Sequence, residues 1–100
     1  MKNIKTYIFE SSKQKINNAG KKKLTKFIDS LIKDIDNIEE NVGIIPDDGE
    51  QVYSDCRDVI WNWVEDNNIV SSYTKDEETI RFVCDEYERL SNAICDKYNL

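Results

Sequence analysis

Apolar residues recur at alternating steps of four and three between Leu24 and Val42, the spacing that places side chains on one side of a helix. This stripe consists of Leu24, Ile28, Leu31, Ile35, Ile38 and Val42. Phe27 and Ile32 flank it and make it wider than the seam of a two-stranded coiled coil. The pattern predicts one central helix, residues 24–42, with several other helices packed around it.

The size and composition of the chain favour a helical domain. One hundred residues are enough for one hydrophobic core and too few for two. Three Gly and a single Pro are few, and 34% of the residues are charged. We therefore expect residues 1–100 to form a single all-α domain. The expected architecture is a small antiparallel four-helix bundle, or three helices plus an N-terminal segment.

The first predicted helix spans residues 2–19, although the segment Thr6–Phe9 also favours a strand. With no second strand to pair with, helix is the better prediction. Asn17 to Gly20 are expected to end this helix, because Asn and Gly tolerate the left-handed conformation of a C-terminal cap. Alternatively, the first and second helices are continuous through Gly20.

The third helix is expected to begin at a cap formed by Asp47 or Asp48 and to run to about Asp66. The fourth is expected to begin at a capping box of Thr74 and Glu77. The apolar residues expected to face inward on the third helix are Val52, Cys56, Val59, Ile60 and Trp63. Those expected to face inward on the fourth are Ile80, Val83, Cys84, Tyr87, Leu90, Ile94 and Tyr98.

The sequence contains no pattern of catalytic, metal-binding or cofactor-binding residues. Cys56, Cys84 and Cys95 are odd in number and include no C-x-x-C pair, so we expect reduced thiols rather than disulfides or a zinc site. No His is present to act as a base for a catalytic thiol. We expect a protein that is not an enzyme and needs neither a metal ion nor a cofactor.

Membrane insertion and export are not predicted. No apolar run approaches the length of a membrane-spanning helix. The run Tyr7–Phe9 near the N-terminus is far shorter than the apolar region of a signal peptide. The expected location is the cytoplasm.

In size and acid content alone, the chain resembles the all-α nucleotide pyrophosphohydrolases, which hold Mg²⁺ with E-x-x-E and E-x-x-D pairs on neighbouring helices. The nearest counterparts here are Asp36 with Glu39 and Asp55 with Asp58. At about 100° per residue, Asp36 and Asp58 lie well off the apolar faces of their helices. The four carboxylates are therefore not expected to converge, which argues against this activity.

Charge is divided unevenly along the chain. Residues 1–26 contain eight Lys and one Glu, a balance of +7, whereas residues 27–100 have a balance of −13. Many of these acids can be explained as solvated helix surfaces and helix starts. The alternative is a surface whose field attracts a basic partner, such as a nuclease or another nucleic-acid-binding protein.

The lysines of the N-terminal region are candidates for contact with nucleic acid. Lys21, Lys22, Lys23 and Lys26 follow one another closely, and a basic patch can neutralise phosphates. The pI of about 4.6, the absence of Arg from this region and the lack of a recognition motif argue against direct binding. These lysines are alternatively expected to face the acidic helices of the same bundle.

Two aromatic residues lie off the predicted apolar faces. Trp61 is surrounded at helical spacing by Asp58 and Glu65, among other polar residues. Phe82 is likewise surrounded by acidic residues, namely Glu78, Asp85 and Glu86. Aromatic residues in charged surroundings are typical of protein interfaces. Alternatively, one of the two rings packs beneath the first helix.

These features together favour a small acidic helical protein that inhibits or neutralises another protein. The predicted partner-binding residues are Trp61, Phe82, Asp58, Glu65, Glu78, Asp85 and Glu86. Immunity proteins for bacterial toxins and phage-encoded inhibitors of host defence nucleases have this general character, including the imitation of nucleic-acid charge. The alternative is a homo-oligomeric helical module, such as a homodimer, in which the same aromatic residues bury against a second copy.

Overall fold

A computed structural model describes residues 16–70 and 76–100, and these residues form an all-α bundle, as predicted. Its elements are α1 (Asn18–Lys33), a 3-10 turn (Ile35–Asn37), α2 (Ile38–Val42), α3 (Gly49–Asp66) and α4 (Glu77–Tyr98). Of the helix predicted over residues 2–19, the part up to residue 15 lies outside the described residues. The remaining helices occupy the predicted regions, with two corrections at helix starts and one in the middle of the central helix.

The segment from Asn17 to Gly20 begins a helix rather than ending one. Asn17 is the N-cap of α1, and its side-chain oxygen accepts a hydrogen bond from the Gly20 N–H at 2.8 Å. Gly20 is buried and closely packed, since a Cβ there would come within 2.9 Å of the Ile69 side chain. Asn and Gly suit both ends of a helix, and here the cap geometry and the close packing of Gly20 decide for the start.

The predicted central helix is interrupted after Lys33. Asp34 ends α1 and leads into the 3-10 turn, and α2 follows as a short separate helix. The Asp34 carboxylate accepts hydrogen bonds from the side chains of Asn37 at 2.9 Å and Asn41 at 3.0 Å. These bonds hold the pKa of Asp34 below its usual value, with Asn41 contributing most. Short polar side chains thus offer local hydrogen bonds that compete with a continuous helix.

The connection to α3 begins at Gly43, which ends α2 in the left-handed conformation with φ of 76°. Asp48 is the N-cap of α3, and its side chain accepts from the Glu50 N–H at 3.1 Å. Of the two Asp residues proposed as the cap, Asp48 is therefore the correct one. The helix ends at Asp66, as predicted, and Asn68 takes a left-handed conformation in the following turn.

The start of α4 is capped by Asp76 rather than by Thr74, which lies outside the described residues. The Asp76 side chain accepts from the Thr79 N–H at 2.9 Å. Thr79 is fully buried, and its hydroxyl oxygen accepts from the Ile16 N–H at 2.9 Å. This second bond ties the chain just before α1 to the first turn of α4.

Contacts between helices fix their directions. Ile16 meets Thr79 near one end of the bundle, and the Tyr98 hydroxyl donates to the Ile35 carbonyl near the other, so α1 and α4 run parallel. Gly49, the first residue of α3, packs near Cys95 in the last turn of α4, and Tyr53 donates to Glu88 in the middle of α4, so α3 runs antiparallel to α4. The three long helices therefore run up, down and up, which agrees with short connections between successive antiparallel helices.

The core lies between these three helices and is closed at one end by the 3-10 turn and α2. Its buried apolar residues are Ile16, Leu24, Ile28, Leu31, Ile38, Ile44, Val52, Cys56, Ile60, Val64, Val70, Val83, Tyr87, Leu90 and Ile94. Phe27 of α1 and Trp63 of α3 stack at its edge, with ring centroids 4.5 Å apart. Most residues predicted to face inward do so. Ile80 was predicted to face the core but is 41% exposed, so that prediction is wrong.

Candidate functional site

An exposed apolar strip runs along the contact between α3 and α4. Tyr53 is 39% exposed, packs edge-on against Tyr87 and donates to Glu88 at 3.2 Å. The Tyr87 hydroxyl lies 3.2 Å from the Cys84 sulfur. Burial, followed by the hydrogen bonds with Cys84 and Tyr53, raises the pKa of Tyr87 above its usual value.

Trp61 and Ile80 extend this strip away from Tyr53. In an antiparallel pair, eight residues forward on α3 correspond to eight residues backward on α4. Since Tyr53 is level with Glu88, Trp61 is level with Ile80. Ile80 lies one turn before Cys84 on the same side of α4. We define Tyr53, Trp61, Ile80 and Cys84 as the α3–α4 face; Trp61 and Cys84 are partly buried against the core.

Acidic residues surround the α3–α4 face. Asp58 and Glu65 lie one turn on either side of Trp61 on α3. Asp85 is exposed on the outer side of α4, beyond Cys84. Within the described residues, Asp85 and Glu88 make no ion pair, whereas Asp58 pairs with the neighbouring Arg57 at 3.3 Å. Because Asp58 and Arg57 are both well exposed, this pair is screened by solvent and contributes little stability.

Phe82 lies on a different flank from Trp61. Its ring faces α1, with the Lys21 ammonium 5.5 Å from the ring centroid. Trp61, in contrast, lies about 200° around α3 from Trp63, which stacks on α1. The two aromatic residues predicted to form one partner site therefore belong to two surfaces. Both are partly buried rather than fully exposed.

Two of the predicted acidic site residues accompany Phe82 on the α1 side of α4. Glu78 lies 3.5 Å from the Lys21 ammonium. Glu86 is largely buried and pairs with Arg89 at 2.8 Å, and Arg89 also pairs with Asp29 of α1 at 2.7 Å. Burial alone would lower the pKa of Arg89, but its bonds to Glu86 and Asp29 outweigh burial and raise it. These carboxylates stabilise the contact between α1 and α4.

The predicted lysines line a groove on the surface of α1. The groove holds about 490 Å³, and its walls are formed by Ala19, Lys21, Lys22, Lys23, Thr25, Lys26 and Phe82. Lys22, Lys23 and Lys26 are exposed and, within the described part of the chain, form no ion pair. We call this feature the lysine groove. The alternative that these lysines face the acidic helices of the same bundle holds for Lys21, which pairs with Glu78 of α4; Lys22, Lys23 and Lys26 have no such partner among the described residues.

The folded chain thus separates charge between its helices. Five Lys and one Asp give α1 a formal charge of +4. Eleven acidic and four basic residues give α3 and α4 together a formal charge of −7. The division seen along the sequence is therefore also a division between the helices of the bundle: α1 is positive, and α3 and α4, which carry the α3–α4 face, are together negative.

The described residues contain no group of three or more His, Cys, Asp or Glu side chains arranged to hold a metal ion. Asp36, one of the carboxylates considered for Mg²⁺, pairs with Lys97 at 3.1 Å. Burial raises the pKa of the Cys56 thiol to about 12, so this sulfur is not a nucleophile at neutral pH. None of the helices in the described ranges is both long and apolar enough to cross a membrane.

Comparison with known proteins gives no relative. No family model, curated protein or solved structure matches this chain. The function is therefore inferred from the geometry and the charges of the two surfaces described above.

Sequence patterns did not reveal two members of the α3–α4 face. Tyr53 was not singled out, and Ile80 was assigned to the core. A signal for Tyr53 does exist, because it lies four residues before Arg57 and eight before Trp61 along α3. No sequence signal marks Ile80 as exposed, because its helical position fits the apolar face of α4 as well as the positions of the buried residues do.

Proposed function

We propose that this chain is a small acidic protein-binding domain that inhibits or neutralises a partner protein with a basic surface. The observation that carries the proposal is the exposure of Tyr53 and Ile80, 39% and 41%, on a negatively charged surface. Large apolar side chains exposed within a polar rim are typical of protein interfaces.

In this mechanism, binding covers the active surface of the partner. Tyr53, Ile80 and the accessible part of Trp61 enter apolar pockets, and the surrounding carboxylates pair with Lys and Arg residues of the partner. A partner that normally binds nucleic acid suits this arrangement, since carboxylates replace phosphates as the anions. The proposal gives the chain no catalytic activity.

Affinity capture from a nuclease-treated lysate of cells that naturally contain the protein tests the proposal. The Tyr53→Ser/Ile80→Ser double variant removes the exposed apolar side chains of the α3–α4 face. The matched control is Ile45→Ser/Leu100→Ser, because Ile45 and Leu100 are 54% and 43% exposed but lie outside that face. We expect one protein to bind the wild type and the control and to be lost from the face variant, with an affinity loss of about 30-fold or more.

The captured protein must then be inhibited by stoichiometric amounts of the purified chain. Its rate of association should fall as salt is added, since screening weakens the attraction between exposed charges. Equal capture by both double variants, or capture without inhibition, would contradict the proposal.

Self-association through the same face is the competing explanation. Light scattering of the purified protein at high concentration distinguishes the two. A dimer that persists in the Ile45→Ser/Leu100→Ser control and dissociates in the Tyr53→Ser/Ile80→Ser variant would identify a homo-oligomeric module instead. A monomer at all concentrations is the result that the proposed function predicts.

A further inference from the structure

The lysine groove keeps its positive charge although the protein as a whole carries a formal charge of −6. Asp29 is the only acidic residue of α1, and it pairs with Arg89 of α4 rather than with a lysine of the groove. Lys22, Lys23 and Lys26 are therefore left without carboxylate partners within the described residues. These three lysines can therefore attract an anion locally, even though the net charge of the protein is negative.

These lysines do not stabilise the helix that carries them. Lys22 and Lys26 are four residues apart and Lys23 and Lys26 three apart, the spacings at which like charges on a helix repel each other. The first turn of α1 also has no acidic residue to complement the helix dipole. Their arrangement is therefore unfavourable for folding, and a bound anion would relieve the repulsion.

The groove also contains an aromatic surface. Phe82 forms part of its wall and is only partly buried, so part of the ring is accessible from the groove. The Lys21 ammonium lies over that ring, 5.5 Å from its centroid, and pairs with Glu78 at 3.5 Å. The volume of about 490 Å³ lies within the range of about 300–1,000 Å³ for ligand sites.

We propose that the lysine groove binds single-stranded nucleic acid without sequence specificity. Lys22, Lys23 and Lys26 contact phosphates, and a base packs against Phe82. Positive side chains along a backbone, combined with an aromatic ring for a base, are the usual elements of such sites. An acidic peptide would satisfy the lysines but would leave the ring without a planar partner.

This inference concerns a different surface from the α3–α4 face and does not depend on the proposed inhibitor function. The low isoelectric point, which argued against nucleic acid, is a property of the whole chain. Because α1 carries +4 and, among the groove lysines, only Lys21 pairs with a carboxylate of the described residues, namely Glu78, the field at Lys22, Lys23 and Lys26 has the opposite sign from the average.

Fluorescence anisotropy with a labelled oligo-dT of about 12 nucleotides tests the groove, over salt concentrations from about 20 to 200 mM. Three phosphate contacts predict a slope of log K against log salt of about −2. We expect Lys22→Gln/Lys23→Gln/Lys26→Gln to lower the affinity at least about tenfold and to abolish most of this slope. Phe82→Leu should lower the affinity about fivefold or more while leaving the slope unchanged.

The matched control is Lys33→Gln/Arg81→Gln/Lys97→Gln, which removes the same charge from positions outside the groove. It should reduce affinity less than about twofold at the higher salt concentrations. Equal losses in the two triple variants, or no binding by the wild type at low salt, would overturn the proposal. A poly-glutamate probe that binds the groove as tightly as oligo-dT would also overturn it, in favour of an acidic protein ligand.

Discussion

The thiol of Cys56 lies between the helices with no part of the residue exposed. Burial is the main reason that its pKa rises from 9.0 to about 12, and the nearby charge of Asp55 adds to the effect. A buried thiol resists ionisation because a thiolate in an apolar interior has lost its hydration. The folded protein therefore keeps a proton at Cys56 that the unfolded chain releases above about pH 9.

This difference predicts a loss of stability in alkali. Since the pKa is raised in the folded state, the contribution is fully present below pH 9.0 and is lost as the pH rises from there toward about 12. The wild-type free energy of unfolding should fall more steeply than that of Cys56→Ala, by up to about 1.4 kcal/mol per pH unit. Urea denaturation at a series of pH values measures both slopes.

A suitable control is Val52→Ala, which removes an equally buried side chain from the same helix but leaves the thiol in place. This variant should be less stable than the wild type at every pH and should keep the wild-type slope. If the curves of Cys56→Ala and the wild type are parallel above pH 9, the thiol ionises with equal ease in both states and the account of its burial is wrong.

Among the individual elements, the interrupted central helix shows what apolar periodicity can and cannot predict. The stripe from Leu24 to Ile38 faces the core as expected, because a 3-10 turn with three residues per turn keeps successive apolar side chains on nearly the same side. Periodicity is therefore insensitive to the break. The hydrogen bonds from Asn37 and Asn41 to Asp34 decide it, and they depend on side-chain geometry rather than on hydropathy.

The start of α4 shows a related limit at Thr79 and Ile80. Hydropathy favours Ile80 for the core, but Thr79 is the buried residue because its hydroxyl accepts the Ile16 N–H. That requirement comes from another element 63 residues away in the sequence, and no local pattern records it. It also rotates Ile80 to the outside, where it contributes to the α3–α4 face.

Because the Thr79 hydroxyl accepts the Ile16 N–H, we expect this one hydroxyl to hold the start of α1 against α4. Thr79→Val preserves the shape of the side chain but leaves a buried N–H without a partner, which should cost about 1–3 kcal/mol of stability. Urea denaturation measures this loss, and faster hydrogen exchange at the Ile16 amide should accompany it.

Thr79→Ser provides the comparison, since it retains the hydroxyl and removes only a methyl group, worth about 0.8 kcal/mol. It should keep the wild-type protection of the Ile16 amide. Unchanged stability and unchanged exchange in Thr79→Val would show that the hydrogen bond does not hold the two helices together.

At the scale of the whole molecule, the fold converts a charge division along the chain into two surfaces of opposite sign. The sequence correctly predicted the helical class, the lysine cluster and most of the core. It could not predict that Phe82 adjoins the lysines while Trp61 lies on another surface, level with Ile80, because this depends on how α1, α3 and α4 are arranged. A single aromatic site was expected from the pattern, and two separate surfaces result from the packing.

Site-specific photo-crosslinking tests whether the α3–α4 face contacts a partner protein. A photoreactive phenylalanine analogue replaces Ile80 in one variant and Ile45, exposed but outside the face, in the other. Both variants are irradiated in a nuclease-treated lysate of cells that naturally contain the protein. The account predicts one heterologous cross-link from position 80 that excess unlabelled wild type prevents, and none from position 45. No cross-link from position 80, a cross-link only to a second copy of the chain, or the same products from both positions would contradict it.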